Sequence, residues 1–368
     1  MATDITNCRV LVVGGCGYLG YRIIRWLVHE CQMPPSEITS VDIIDPPAGR
    51  EEKLVEYLLA DMTDKKAISD AIDKIQPEVI IHTASPAANL ANLNIFMRNN
   101  VEGTRNLLDA AVAQPSVKVV VFTSSSSVSH DSISDLSEGT EDDPYVFLPR
   151  QRQTYSHSKA VAEQLSRSYN RKRKDFVTGV IRPSALFGPA EPITTVVLVA
   201  LAKKGNLRYQ IGDGKNATDF TYVDNAVIGH ILLVNGLLKA VAHPELVHED
   251  MRLEGEAFII TDDEHWGFWT FFRDFGAAAG YPTDPSKIIS IPKGLALGVA
   301  GLIERTYLAF TFGNKASPVR QVDLAYSAIE RTFNIAKAKK RLGYTPRFSV
   351  NEGIRLSVAP ILEAKSHV

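Results

Sequence analysis

Val10-Leu-Val-Val13 followed by Gly14-Gly-Cys-Gly17-Tyr-Leu-Gly20 decides the fold of this 368-residue chain. The first four residues are apolar and mostly β-branched, the mark of a short buried strand. Gly14, Gly17 and Gly20 follow at three-residue spacing, and a helical pattern begins near Tyr18. Glycine permits the tight turn out of the strand and lets the backbone come close to a pyrophosphate held at the positive end of the following helix. A strand, a glycine loop and a helix in that order form the first unit of a dinucleotide-binding α/β sheet.

The next apolar run, Ile38 to Ile43, carries an acid at its end. Asp42 stands 22 residues beyond Gly20, where a carboxylate accepts hydrogen bonds from the adenosine ribose and repels a 2′-phosphate. NAD is the expected cofactor, and Arg22 and Arg25 leave NADP open. Asp61-Met62 after Leu58-Leu-Ala60, and Thr83-Ala84-Ser85 after His82, also suit this site, although both read equally as plain strand-end turns. The expected cofactor contacts are thus Gly14, Gly17, Tyr18, Leu19, Gly20, Asp42, Ile43, Asp61, Met62, Thr83, Ala84 and Ser85.

Short apolar runs alternate with longer amphipathic stretches through the first half, which predicts a Rossmann-type doubly wound parallel sheet. The expected strands are Val10–Val13, Ile38–Ile43, Val79–His82, Val117–Thr123 and Val177–Ile181; the helices lie near 18–31, 64–75, 91–114 and 152–172. Beyond Pro183 the alternation weakens, and helices are expected near 194–204, 224–239, 267–279 and 293–311. The chain therefore divides into a dinucleotide-binding domain over 1–182, its sheet completed by parts of 222–262, and a smaller, interleaved substrate-binding lobe over 183–368.

Tyr155-Ser-His-Ser-Lys159 places a phenol and an ammonium on one face of a helix, four residues apart. Tyrosine in water ionises near pH 10, and a neighbouring cation favours its phenolate. Lys159 is also suited to hold the nicotinamide ribose hydroxyls. The fourth strand ends in Phe122-Thr-Ser-Ser-Ser-Ser-Val128; a serine there is placed to hydrogen-bond the reacting oxygen, with the choice among the four left open by chemistry alone.

These features resemble the extended short-chain dehydrogenase/reductase superfamily over nearly the whole chain. The resemblance implies Ser125 as the active-site serine, Tyr155 and Lys159 as the proton-handling pair, and Asn100 in Asn100-Val-Glu-Gly-Thr104 as support for a proton relay. Arg182-Pro-Ser-Ala-Leu-Phe-Gly-Pro189 resembles the segment lining the nicotinamide, which adds Pro183 and Ser184, with Tyr155 and Lys159, to the cofactor contacts. In the second half, Asp219-Phe-Thr-Tyr-Val-Asp-Asn225, Gly255 to Asp262, Gly267 to Phe272 and Phe333 to Tyr344 look like the 3β-hydroxysteroid dehydrogenase branch. The likeness is greatest to the sterol-4α-carboxylate 3-dehydrogenases (decarboxylating). One stretch departs: Asp262-Asp-Glu-His265 stands where those enzymes usually read Asn-Asp-Glu-Pro.

The resemblance implies NAD-dependent oxidation of a 3β-hydroxyl on a sterol or terpenoid, followed by loss of a 4-carboxylate as carbon dioxide. Plain 3β-hydroxysteroid dehydrogenation with or without isomerisation, or ketone reduction, is the alternative. A nucleotide-sugar epimerase or dehydratase and a non-catalytic dinucleotide sensor stand further off, the latter because such proteins generally lose the Tyr/Lys pair. The expected partner is a hydrophobic polycyclic small molecule, and a homodimer is implied by the family.

Composition agrees with this reading. A net charge of -2 gives no bias toward nucleic acid, and none is expected as a partner. Cys8, Cys16 and Cys31 have neither metal-ligand nor disulfide spacing, which predicts a reducing, cytoplasmic setting and no bound metal. The nearest candidate for a membrane span, 291–312, is broken by Glu304 and Arg305; it reads as a core helix or as a peripheral contact with a membrane, the endoplasmic reticulum surface in the resembled enzymes.

Overall fold

In the computed structural model of the chain, which describes residues 4–246, 248–311, 317 and 319–366, seven parallel strands form the central sheet. Their spatial order is Ala257–Ile260, Val177–Pro183, Val119–Thr123, Val79–His82, Val10–Val13, Ile38–Asp42 and Glu56–Leu59. The order reverses beside Val10–Val13, so the crevice of a doubly wound sheet opens at the glycine loop, as expected. Val10 and Val12 face one side and Leu11 and Val13 the other, and all four are buried. Helices therefore cover both faces, which is why this strand reads as a continuous apolar run.

One face packs against Tyr18–His29 and Val223–Ala242, the other against Lys65–Ile75, Thr104–Ala113 and Thr154–Ser168. Val223–Ala242 is the one helix, among the described residues, long and apolar enough to cross a membrane; most of it lies inside the core. The edge strand Glu56–Leu59 does not stand out in the sequence because its residues are half-exposed or exposed. Where the pattern predicts one helix over 91–114, the structure has a π-helical turn, Met97–Gly103, between Leu93–Phe96 and Thr104–Ala113. That insertion turns Asn100 into the interior, and such turns recur at functional sites.

A second sheet runs His265–Gly267, Ala217–Tyr222, Arg331–Phe333 and Leu136–Gly139, with Ala185–Phe187 also paired to Ala217–Tyr222. One of its strands comes from the first half of the chain, so the two sheets are joined at several points.

A buried ion pair ties the helix Thr154–Ser168 to the central sheet. Glu163 (0% exposed) accepts hydrogen bonds from Arg182 Nε and Nη2 at 2.7–3.0 Å, and Arg182 is 1% exposed. The same carboxylate accepts from Ser124 Oγ at 2.5 Å and from Tyr145 Oη at 2.9 Å. Removing one member of a buried pair leaves an uncompensated charge. Glu163→Ala is therefore expected to lower unfolding stability by about 3–5 kcal/mol. Urea unfolding followed by circular dichroism measures this, and a loss below about 1 kcal/mol would contradict the assigned role.

Candidate active site

The glycine loop and the carboxyl ends of the first strands enclose a cavity of about 500 Å³. Gly14, Gly17, Tyr18, Leu19, Gly20, Asp42, Ile43, Asp61, Met62, Thr83, Ala84 and Ser85 all line it. Two glycines are forced by sterics. At Gly14 (φ +87°) a Cβ would lie 2.5 Å from the Ala84 nitrogen, and at Gly20 it would lie 2.2 Å from the Gly14 carbonyl oxygen. Gly17 is exposed and precedes the helix Tyr18–His29, whose N-terminus no side chain caps. Its free N–H groups and positive dipole end are suited to an anion such as a pyrophosphate. Thr83 Oγ1 donates to the carbonyls of Val13 and Gly14 at 3.0 and 3.2 Å, fastening the third wall to the loop.

Asp42 is held at the strand end: Oδ2 accepts from Cys16 N at 3.0 Å and Oδ1 from Ile43 N at 2.7 Å. Both guanidinium groups that leave a 2′-phosphate site open are engaged elsewhere. Arg22 forms a bidentate pair with Asp224 at 2.5–3.0 Å, and Arg25 pairs with Glu52 at 3.3 Å. The loop thiol of Cys16 is buried against Ser40, and burial pushes its pKa up to about 11, which leaves it an inert small side chain. Val13, Val41, Ile44, Ala60, Pro86, Ile95 and Asn99 complete the cavity. Of these, Ile44 follows Asp42 in the sequence, Ala60 precedes Asp61 and Pro86 closes the stretch after His82, whereas Ile95 and Asn99 carry no such signal.

The remaining predicted residues do not line this cavity: Ser125, Pro183 and Ser184 stand at the ends of Val119–Thr123 and Val177–Pro183, Tyr155 and Lys159 on the helix Thr154–Ser168, and Asn100 in the π-helical turn Met97–Gly103. Among the four consecutive serines, Ser124 is taken by Glu163, Ser126 is buried, and Ser127 Oγ accepts from Ser156 Oγ at 2.8 Å. Ser125 alone is not buried; its hydroxyl stabilises the Tyr155 phenolate and lies 2.9 Å from Ser127 Oγ. The structure thereby narrows a choice the spacing leaves open.

Lys159 is buried, with Nζ 2.8 Å from the Thr123 carbonyl oxygen and 6.0 Å from the Tyr155 ring centre. Burial depresses its pKa to about 7, with Glu163 opposing. Tyr155 moves the other way: burial, reinforced by Tyr326 and opposed by the Ser125 hydroxyl, pushes it up to about 12. The expectation that Lys159 lowers the tyrosine pKa is therefore not met in this conformation. The ammonium points at a carbonyl, and desolvation outweighs a cation that is itself half neutralised.

Asn100 Nδ2 donates to Ser158 Oγ at 2.9 Å, and Ser158 Oγ donates to the Tyr155 carbonyl at 2.7 Å. Asn100 Oδ1 is buried without a partner. Pro183 ends a sheet strand beside Ile260, and the Ser184 hydroxyl donates to the Asp219 carbonyl at 2.8 Å, so both are engaged within the protein and neither lines the glycine-loop cavity. Sequence reasoning missed Glu163; its signal was the spacing Tyr155, Lys159, Glu163, which puts three groups on one helical face.

Comparison with known proteins agrees with this geometry. A sequence model of the 3-beta hydroxysteroid dehydrogenase/isomerase family matches residues 11–292. The chain is 32% identical to 3beta-hydroxysteroid-dehydrogenase/decarboxylase isoform 2 of Arabidopsis thaliana, over 95% of this chain and 61% of that one. It is also 32% identical to sterol-4-alpha-carboxylate 3-dehydrogenase, decarboxylating, of Candida albicans, over 95% and 96% of the two chains. Among solved structures, a dTDP-glucose 4,6-dehydratase from Streptomyces venezuelae with NAD bound superposes with a TM-score of 0.69 at 19% identity, covering 98% of both chains. At that identity it speaks for the fold alone.

The depressed pKa of Lys159 makes stability depend on pH. Its folded value, about 7, lies below the ordinary 10.5, so the unfolded chain binds more protons between these values and stability from this residue rises with pH across that window. Relative to Lys159→Met, the wild type is expected to gain about 2 kcal/mol between pH 7 and 9. Paired urea titrations measure the difference, and one that stays flat or falls with pH contradicts the burial argument.

Proposed function

Because the chain belongs to the 3-beta hydroxysteroid dehydrogenase/isomerase family, we propose that it is an NAD-dependent enzyme that oxidises the 3β-hydroxyl of a 4-carboxysterol and releases the carboxylate as carbon dioxide. The observation that carries this reading is the meeting of Tyr155, Ser125 and Lys159 at the carboxyl end of the sheet, beside a glycine-lined cavity that fits a dinucleotide. Residues 1–182 then form the dinucleotide-binding part and 183–368 mainly the substrate lobe.

In this proposal the glycine loop holds the pyrophosphate and Asp42 the adenosine ribose. NAD, when bound, supplies the hydride acceptor. Tyr155, a neutral phenol at rest, takes the substrate hydroxyl proton as its own proton passes to a water in the relay, while Ser125 donates to the same oxygen and steadies its charge. Lys159 holds a positive charge near the phenol in its protonated form. Asn100 Oδ1, buried and unpartnered, is an acceptor for a water that carries the proton onward. Oxidation leaves a ketone β to the carboxylate. The carbon–carboxyl bond then breaks, its electron pair enters an enolate, and the now protonated Tyr155 donates to the enolate oxygen. No separate decarboxylating group is required.

Absorbance of NADH with a 4-carboxy-3β-hydroxysterol tests the reading, and two variants separate its parts. Tyr155→Phe is expected to lower kcat at least 100-fold, the usual scale of general acid–base catalysis, with NAD affinity kept within about twofold. Asp42→Ala is expected to weaken NAD binding about tenfold, one charge-assisted hydrogen bond, and to narrow the preference over NADP. Wild-type turnover in Tyr155→Phe contradicts the proton role.

We also infer peripheral contact with a lipid surface through the helix Lys293–Phe310; the residue at 312, the last of the expected stretch, lies outside the described residues. Leu302 is 68% and Phe310 83% exposed, and only Ala300 of this helix is buried. Leu302→Asp with Phe310→Asp is expected to reduce cosedimentation with phosphatidylcholine vesicles severalfold without changing the melting temperature. Equal cosedimentation of wild type and variant contradicts the contact.

A further inference from the structure

Two arginines lie deep in this protein, and they are treated differently. Arg182 is matched bidentately by Glu163. Arg331, in the short strand Arg331–Phe333, is 3% exposed, yet it forms no ion pair among the described residues and its Nε is buried without a hydrogen-bond partner. A guanidinium taken out of water and left unpaired costs several kcal/mol, so its position calls for an explanation.

The nearby acid, Asp219, is already committed. Its Oδ1 lies 2.6 Å from His265 Nδ1 and its Oδ2 accepts from Phe333 N at 2.8 Å. His265 is one of the two positions, with Asp262, at which the chain departs from the Asn-Asp-Glu-Pro sequence of the sterol enzymes, and it engages the one carboxylate close enough to influence Arg331.

The surroundings of Arg331 lead back to the reacting groups. Its guanidinium stacks on the Tyr326 ring, 3.3 Å from the centre. Tyr326 ends the helix Gln321–Tyr326, and the turn between Tyr326 and Arg331 is fixed by Asn216 Nδ2, which donates to the carbonyls of Ser327 and Ile329 at 3.2 and 3.0 Å. Gln321, Val322 and Ala325 of that helix line a second cavity of about 580 Å³ together with Ile133, Leu297, Glu304 and Arg152, the last of these three residues before Tyr155. Ala325, next to Tyr326, and Arg152 therefore border the same space, and the Tyr326 phenol opposes ionisation of Tyr155. Tyr326 thus links the proton-handling tyrosine to a buried cation that lacks an anion.

We propose that Arg331 holds the carboxylate of the substrate, with Tyr326 as the platform that orients its guanidinium. The inference rests on the 4-carboxysterol reading above. In such a substrate the carboxylate is carried by the carbon next to the carbinol, so a group that recognises it must stand close to Tyr155 without touching the reacting oxygen. A guanidinium offers paired donors in a plane, the match for a carboxylate. Arg152, on the rim of the cavity, is exposed and in water-like surroundings where a charge pair is worth little. Arg331 sets the choice between acid and neutral sterol; it is a specificity residue, and the bond-breaking steps remain with Tyr155 and Ser125.

The test compares wild type, Arg331→Met and Arg331→Lys, each with NAD, on a 4-carboxy-3β-hydroxysterol and on the same sterol lacking the carboxylate. The wild type is expected to prefer the acid. Arg331→Met is expected to lose about 10- to 100-fold in kcat/KM on the acid, the range of one charge-assisted pair, with the neutral sterol changed less than about threefold. Arg331→Lys is expected to recover part of the preference, since it restores charge without the fork. Equal losses on both sterols would mark a structural role and overturn the assignment, as would an acid preference retained in Arg331→Met. Wild-type turnover of neither sterol overturns the sterol reading and this inference with it; wild-type preference for the acid that survives in both variants overturns the Arg331 assignment alone.

Discussion

The ion pair between Glu163 and Arg182 is the constraint on which the site depends. A single carboxylate, excluded from water, joins the helix bearing Tyr155 and Lys159, the strand that ends at Pro183, and the serine next to Ser125. In a low-dielectric interior such a hub is costly to assemble and more costly to break, so it fixes a geometry rather than adding net stability. It also explains the state of Lys159. Glu163 lies one turn further along the helix and favours the ammonium, but its charge is largely answered by Arg182, and burial prevails.

The site is consequently a set of groups displaced from their behaviour in water by one cause. Burial raises Tyr155 and lowers Lys159, so the phenol holds its proton more firmly than in water and the ammonium holds its proton less firmly. Pairs of titrating groups pushed apart in this way are where acid and base roles are found. The adjoining cavity works by shape instead. Gly14 and Gly20 leave no room for a side chain, and the uncapped helix start faces the space they enclose.

Much of this was legible in the chain itself. Local chemistry wrote the glycine loop, the buried strands, the acid at the end of the second strand and the four-residue step from Tyr155 to Lys159. What escaped depends on partners far apart in sequence. Glu163 reads as an ordinary helix charge until Arg182 and Ser124 are brought to it, 19 and 39 residues away. The edge strand Glu56–Leu59 buries too little to carry an alternating signal. The π-helical turn that turns Asn100 inward leaves no periodic trace. The orientation of the Lys159 ammonium is not written in the spacing, which gives only the face of a helix; packing against Thr123 and Phe122 sets it.

The central claim is that oxidation at the carbinol precedes and enables loss of the carboxylate. The most direct test uses a 4-carboxy-3β-hydroxysterol deuterated at carbon 3, with NAD and the purified protein. The account predicts deuterium in the reduced nicotinamide, with one carbon dioxide released for each NADH formed. Release of carbon dioxide with the deuterium retained on the sterol, or without NADH, would contradict it.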